Sequence, residues 1–237
     1  MKYVFLIVFF GCISCCIGQN IGGTELLEKA ISYHDPNGRW SSFKGNFSVT
    51  MESPKGDKRK SHIAIDLPAS SFKLTTNRDN NAIEQTVDKG ECLVTLNGIT
   101  NISDADKAAH NISCERTKKM KDYYTYLYGL PMKLRDPGTI IESRVETKTF
   151  KGKKYLRLKA TYSKEVGTDT WYFYFDPTSY AMEVYQFFHD ESQNDGEYIL
   201  LSGVEIINGI KMPKTRAWYY NKNDQYLGTD VLDQNSN

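Results

Sequence analysis

Four histidines lie beyond the first eighteen residues: His34, His62, His110 and His189. Two of them stand next to acids, in His34-Asp35 and His189-Asp190-Glu191. Imidazole beside carboxylate is a ligand set for zinc-like ions and also a general-base pairing. Either use requires the leading segment to pack across the end of later strands, so that His34 meets His189 and Asp190. Neither pair carries a second histidine at ligand spacing on its own element. Both also read plainly as polar element ends, so no metal or other cofactor is expected. The acids Asp190/Glu191 and Asp195/Glu197 have the composition of a glycosidase pair, but around Asn194 and Gly196 they read better as a solvated turn. No Gly-x-Ser-x-Gly is present, and no glycine-rich phosphate loop precedes a helix. The sequons at Asn46, Asn101 and Asn111 matter only in a eukaryotic secretory route.

The remaining chemistry belongs to cysteine. Residues 1–18, MKYVFLIVFFGCISCCIG, have a lysine, an uncharged apolar core and small residues before Gln19. That is the layout of a cleaved export signal, and the apolar run is short for a membrane span. The cysteines crowding the cut leave a lipid-anchoring reading open, with Cys12 or Cys15 as acceptor, and an uncleaved anchor is a third reading. In residues 19–237 only Cys92 and Cys114 remain. In an exported chain they suggest a disulfide worth ~3 kcal/mol; two free thiols are the alternative.

The chain has 30 Lys and Arg against 29 Asp and Glu. Loss of Lys2 with the signal balances them, so the broad basic footprint of a nucleic-acid partner is absent. The basic run Lys55 to Lys60 reads as a solvated hairpin tip.

These residues must be positioned by strands. Thr24 to His34 has helical apolar spacing in Leu26, Leu27, Ala30 and Ile31, and Thr24 reads as its N-cap. The period then changes to two. Phe47, Val49 and Met51, then Ile63, Ile65 and Leu67, then Phe72 and Leu74 alternate with polar residues. Asn97-Gly98 and Asn208-Gly209 are hairpin signals. Two helices, Asp104 to His110 and Glu115 to Leu130, interrupt the strands; the second carries Met120, Tyr123, Tyr124, Leu127 and Tyr128. Strands resume from Ile140 to Phe150, then Tyr155 to Tyr162, Trp171 to Phe175, Met182 to His189, Tyr198 to Ile207, Arg216 to Tyr220 and Tyr226 to Leu232.

About eleven strands in hairpin order curl rather than lie flat. The expected architecture is mainly β: one large curved antiparallel sheet, a half-barrel, with an N-terminal helix and a central helical plug, all in one domain spanning 19–237. Its concave face needs filling by helices, its own side chains or a ligand. Phe47, Met51, Ile65, Phe72, Leu158, Trp171, Phe173 and Tyr185 are the candidate lining, and the same positions serve equally as core.

This layout, with Phe43 to Thr75 as opening strands, resembles the lipoprotein-carrier fold of the Gram-negative periplasm, the LolA/LolB-like half-barrel. Tyr33-His34-Asp35-Pro36, Tyr174-Phe175-Asp176-Pro177, Phe188-His189-Asp190-Glu191 and Asn208-Gly209-Ile210-Lys211-Met212-Pro213 are similar to a family of secreted bacterial proteins of uncharacterised function. The carrier resemblance implies a cavity for acyl chains and a buried arginine gating its lid, which the sequence does not assign to a position. The expected function is an exported periplasmic or envelope protein, a monomer, that binds a lipid, acyl chain or lipidated protein and contacts membranes transiently. An envelope hydrolase using His34 or His189, and an interaction protein without a small ligand, are the alternatives.

Overall fold

The computed structural model describes residues 21–78 and 80–234; the expected export signal and its cysteines lie outside them. Helix α1 (Gly23–His34) is followed by strands β1 (Lys44–Glu52), β2 (Lys58–Asp66), β3 (Ser71–Arg78), β4 (Asn81–Asp88) and β5 (Glu91–Leu96). Helices α2 (Asp104–His110) and α3 (Cys114–Gly129) intervene. The chain returns as β6 (Thr139–Ile141), β7 (Glu146–Phe150), β8 (Lys153–Tyr162), β9 (Thr170–Phe175), β10 (Met182–Phe188), β11 (Glu197–Ile207), β12 (Ile210–Tyr220) and β13 (Tyr226–Gln234).

All thirteen strands form one antiparallel sheet in the order β5-β4-β3-β2-β1-β13-β12-β11-β10-β9-β8-β6, with β7 also paired to β8. The expected class is therefore the observed one. Consecutive strands pair from β1 to β5 and from β7 to β13, β6 pairs with β8, and the pairing of β1 with β13 joins the two runs. The strand period separates two interiors. Phe173 and Phe175 enter the main core with Phe47, Ile65, Phe72, Leu158, Tyr185 and the buried faces of α1 and α3. Tyr172 and Tyr174, which alternate with them in sequence, point to the opposite face, with Tyr155, Val184 and Phe188. That outer cluster is roofed by cations over its rings: Arg157 lies 4.3 Å from the Tyr172 ring centre and Lys153 5.4 Å from that of Tyr155.

Several local expectations change. The stretch Ile140 to Phe150 divides into β6 and β7, because the intervening residues bind the start of α1: the Gly23 amide donates to Ser143 O at 2.8 Å. A Cβ on Gly23 would stand 1.9 Å from Glu142 O, so only glycine permits this approach. Gly22 consequently occupies the N-cap in place of Thr24. Asn208-Gly209 makes a hairpin with both residues at positive φ, 48° and 86°. Asn97-Gly98 has the same geometry, yet only Leu96 and Ile99 bridge before the chain leaves for α2. Strand β4 escapes the alternation reading because its middle inward position is Gln85, which accepts a hydrogen bond from Thr117 Oγ1 at 3.1 Å. Cys92 on β5 and Cys114 at the start of α3 are disulfide-bonded, 22 residues apart in sequence.

No helix among the described residues is long and apolar enough to cross a membrane.

Candidate functional site

Helix α3 lies on the concave face and decides what remains open there. Its apolar face is aromatic because tyrosines recur at helical spacing. Tyr124 and Tyr128 are buried, and Tyr128 stacks 5.1 Å from Phe47 on β1. Cys114 ties the helix start to β5. Below Tyr128 lies Arg216 of β12, 1 % exposed, its guanidinium carbon 3.9 Å from the ring centre. Arg216 Nη1 donates to Pro213 O at 2.9 Å. Among the described residues, Arg216 Nε and the hydroxyls of Tyr128 and Tyr185 have no hydrogen-bond partner. An unpaired buried polar group costs about 1–3 kcal/mol, so three at one place mark a position that core packing alone does not explain. Asp230, cross-strand from Arg216, accepts from Trp218 Nε1 at 3.1 Å. Burial raises its carboxyl, and the charge of Arg216 opposes the rise.

Beside α3 the concave face opens in two cavities. One, of about 640 Å³, runs between Tyr123 and Tyr126 of α3 and Tyr162, Val166, Gly167 and Trp171 around β8 and β9. The other, of about 390 Å³, lies between the helix and Val49, Met51, Trp218 and Leu227. Tyr123 borders both. Its ring is partly exposed and lies 6.5 Å from that of Trp218. An aromatic floor connects them. Trp218 meets Tyr185 at 6.3 Å, Tyr185 meets Trp171 at 6.1 Å, and Trp171 meets Phe187 at 4.9 Å. On the wall, Tyr126 packs edge-on to Trp171 at 5.5 Å and hydrogen-bonds Tyr162. Burial pushes the Tyr162 hydroxyl up to about 12, so these phenols stay neutral.

Of the eight residues named as lining, Met51 and Trp171 border the two cavities. Phe47, Ile65, Phe72, Leu158, Phe173 and Tyr185 are buried in the core under the helices. Tyr123, Tyr126 and Trp218 border the cavities but were not read from the sequence as lining, nor was Arg216 read as buried. The helical stripe of tyrosines was the available signal for the first two. A lone arginine in a strand of aromatics gives none, since it reads as outward-facing.

The histidine candidates do not converge. His34 is buried at the end of α1, where Nδ1–H donates to Lys211 O at 2.6 Å and Nε2 accepts the Met182 amide at 3.0 Å. Both nitrogens are used, and burial lowers the pKa to about 4. His189 follows β10 at its other end and pairs with Asp169 at 2.8 Å, which raises its pKa. Met182 and Phe188 are the two ends of β10, a span of roughly 20 Å. Asp190 caps the next turn through the Ser192 amide at 2.9 Å. Asp195 accepts the amides of His189 and Asp190 at 2.8 and 2.9 Å. No group of three or more His, Cys, Asp or Glu suited to a metal occurs among the described residues.

An open antiparallel sheet holding a helix along its concave side is the LolA-like half-barrel. A LolA superfamily protein from Nitrosomonas europaea shares the fold with a TM-score of 0.54 at 9 % identity, over 90 % of this chain and 92 % of that one. Two further structures align less well. A putative outer membrane lipoprotein-sorting protein domain from Vibrio parahaemolyticus gives a TM-score of 0.47 at 11 % identity, over 90 % of each chain. A DUF1329 family protein from Desulfovibrio piger gives 0.46 at 10 %, over 90 % of this chain and 92 % of that one. The chain itself belongs to DUF6503, a family of unknown function whose model matches residues 2–235. No curated protein matches the sequence.

Proposed function

We propose that this protein is an exported carrier that holds the acyl chain of a lipid or lipidated protein in the groove beside α3. The observation that carries the reading is the pair of cavities flanking one helix, sharing Tyr123 and bordered by Trp171 and Trp218. A volume of about 640 Å³ lies within the range of small-molecule sites. Its aromatic walls release water when an apolar chain enters, a gain of about 25 cal/mol per Å² before association costs. Buried arginine under a helix that borders both cavities supports a lid, since lifting Tyr128 would bring Arg216 and two unpaired hydroxyls to water or ligand. Export rests on the leader pattern of residues 1–18.

The test is to express the full chain in a Gram-negative host and purify it from the soluble periplasmic fraction without detergent. Native and denaturing mass spectra are then compared. A lipid or fatty-acid mass present only in the native spectrum is the expected result. A clean apo mass, with fluorescent acyl probes also failing to bind, would sink the carrier and favour an interaction protein.

A further inference from the structure

The two ends of the concave face differ in charge. Strands β2 and β3 pair Ser61 with Thr76. Two residues further out on each strand, Arg59 and Arg78 therefore face the same side as neighbours. Like charges side by side on a sheet repel. A third guanidinium, Arg116 of α3, joins them around a cavity of about 80 Å³, with His110 also on its border and Leu74 and Tyr124 at its floor. Among the described residues no carboxylate lines this cavity. Lys58 pairs with Glu52 at 3.3 Å and Lys119 with Glu115 at 2.7 Å, so these two acids serve other cations. Among the described residues Arg59 and Arg116 form no ion pair within 4.0 Å. Asp230 and Glu197 border the adjoining cavity; Asp230 accepts from Trp218 and feels the charges of Arg216 and Arg59.

The chamber is continuous with the 390 Å³ cavity through Arg59, Arg116, Met120 and Tyr124, which border both. The groove thus ends beside Arg59 and Arg116, and a guanidinium's planar fork matches the oxygens of a tetrahedral oxyanion. We infer that this chamber binds a phosphate-type oxyanion carried as the headgroup of an acyl ligand. The inference rests on the carrier reading and names the class of ligand: a phosphate-bearing amphiphile, its chain beside Tyr123 and its headgroup between Arg59 and Arg116.

The test is calorimetric titration of the full periplasmic protein with decyl phosphate, uncharged decyl maltoside and inorganic phosphate, each below its micelle concentration where it has one. Decyl phosphate should bind at least tenfold more tightly than either of the others. In Arg59→Gln/Arg116→Gln that advantage should vanish while decyl maltoside binds as before. Both side chains are exposed, and an unchanged thermal midpoint verifies the fold of the variant. If decyl phosphate and decyl maltoside bind alike, or the variant keeps the preference, the headgroup site is overturned, and carriage survives if the maltoside binds. If inorganic phosphate binds as tightly as decyl phosphate and depends on the arginines, the oxyanion chemistry stands but the headgroup assignment and the carrier reading fall.

Discussion

At the scale of residues, the chemistry suggested by His34 resolves into architecture with a measurable pH signature. The buried ring must stay neutral to donate to Lys211 O and accept from Met182. Its pKa, near 6.5 in the unfolded chain, falls to about 4 in the fold. Between those values the unfolded state binds more protons, so stability rises with pH across the window. The contribution is complete above about pH 6.5 and is lost as pH falls toward 4, amounting to about 3 kcal/mol. Urea midpoints measured from pH 7.5 to 4 should decline over this interval, and His34→Ala should be less stable at pH 7.5 but flatter below it. A slope equal in both proteins would refute the assignment. Arg216 gives the opposite sign. In Arg216→Met, Asp230 keeps its burial and loses the cation that holds its carboxyl down. A carboxyl raised above its unfolded value is destabilising once pH exceeds the unfolded pKa and the group must ionise or stay protonated at a cost. The variant should therefore lose about 3 kcal/mol at pH 7 and recover part of it at pH 5, read from the same urea curves. An equal deficit at both values would mean that lost packing on Tyr128, not charge, is the cause.

At the scale of elements, the four phrases that resemble a secreted family turn out to be fasteners. Asp35 accepts the amides of Arg39 and Trp40 at 2.7 and 2.8 Å. Asp176 accepts those of Thr178 and Ser179 at 3.0 and 2.9 Å and pairs with Lys153 at 3.0 Å. Asp190 caps a turn, and Asn208-Gly209 closes a hairpin. Strands and helices were legible because alternation and capping are local. Helix α2 is found over the very residues expected, Asp104–His110. What was not legible depends on partners far along the chain. Gln85 is an inward residue only because Thr117 meets it, and Ile140 to Phe150 breaks only because Gly23 arrives there. Half of the groove is likewise made by α3 meeting β9 and β12, and no spacing within one element announces that meeting. The Cys92–Cys114 bond is the element-scale fastener of α3. Replacing both cysteines by serine should cost about 3 kcal/mol. Hydrogen exchange should rise in α2 and the first turns of α3, while β9 to β12 stay protected. Uniform acceleration across the sheet would instead show that the bond holds the whole fold.

At the scale of the molecule, the sheet is two hairpin runs joined where β1 meets β13. Helix α3 crosses from one run to the other: it is bonded to β5 in the first, and packs on Arg216, Trp218 and Trp171 in the second. The groove therefore lies beside a beam that belongs to both runs, and its width follows how they are set against each other. This separates capacity from stability, because the cavity can be filled without disturbing the beam. Gly167 borders the 640 Å³ cavity, and a Cβ placed there meets no atom within 4 Å. Gly167→Phe should fold with a thermal midpoint close to that of the native protein. Its ring, added where Val166 and Trp171 form the wall, should lower affinity for fluorescent acyl probes by tenfold or more. The paired control is Val204→Phe, a substitution at an exposed residue of β11 outside both cavities beside α3, which should leave probe affinity unchanged. If Gly167→Phe binds the probe as the native chain does, the acyl chain does not run along Tyr126 and Trp171, and the smaller cavity beside Trp218 becomes the carrier site. If both variants weaken binding equally, the loss comes from added surface hydrophobicity rather than from a filled groove.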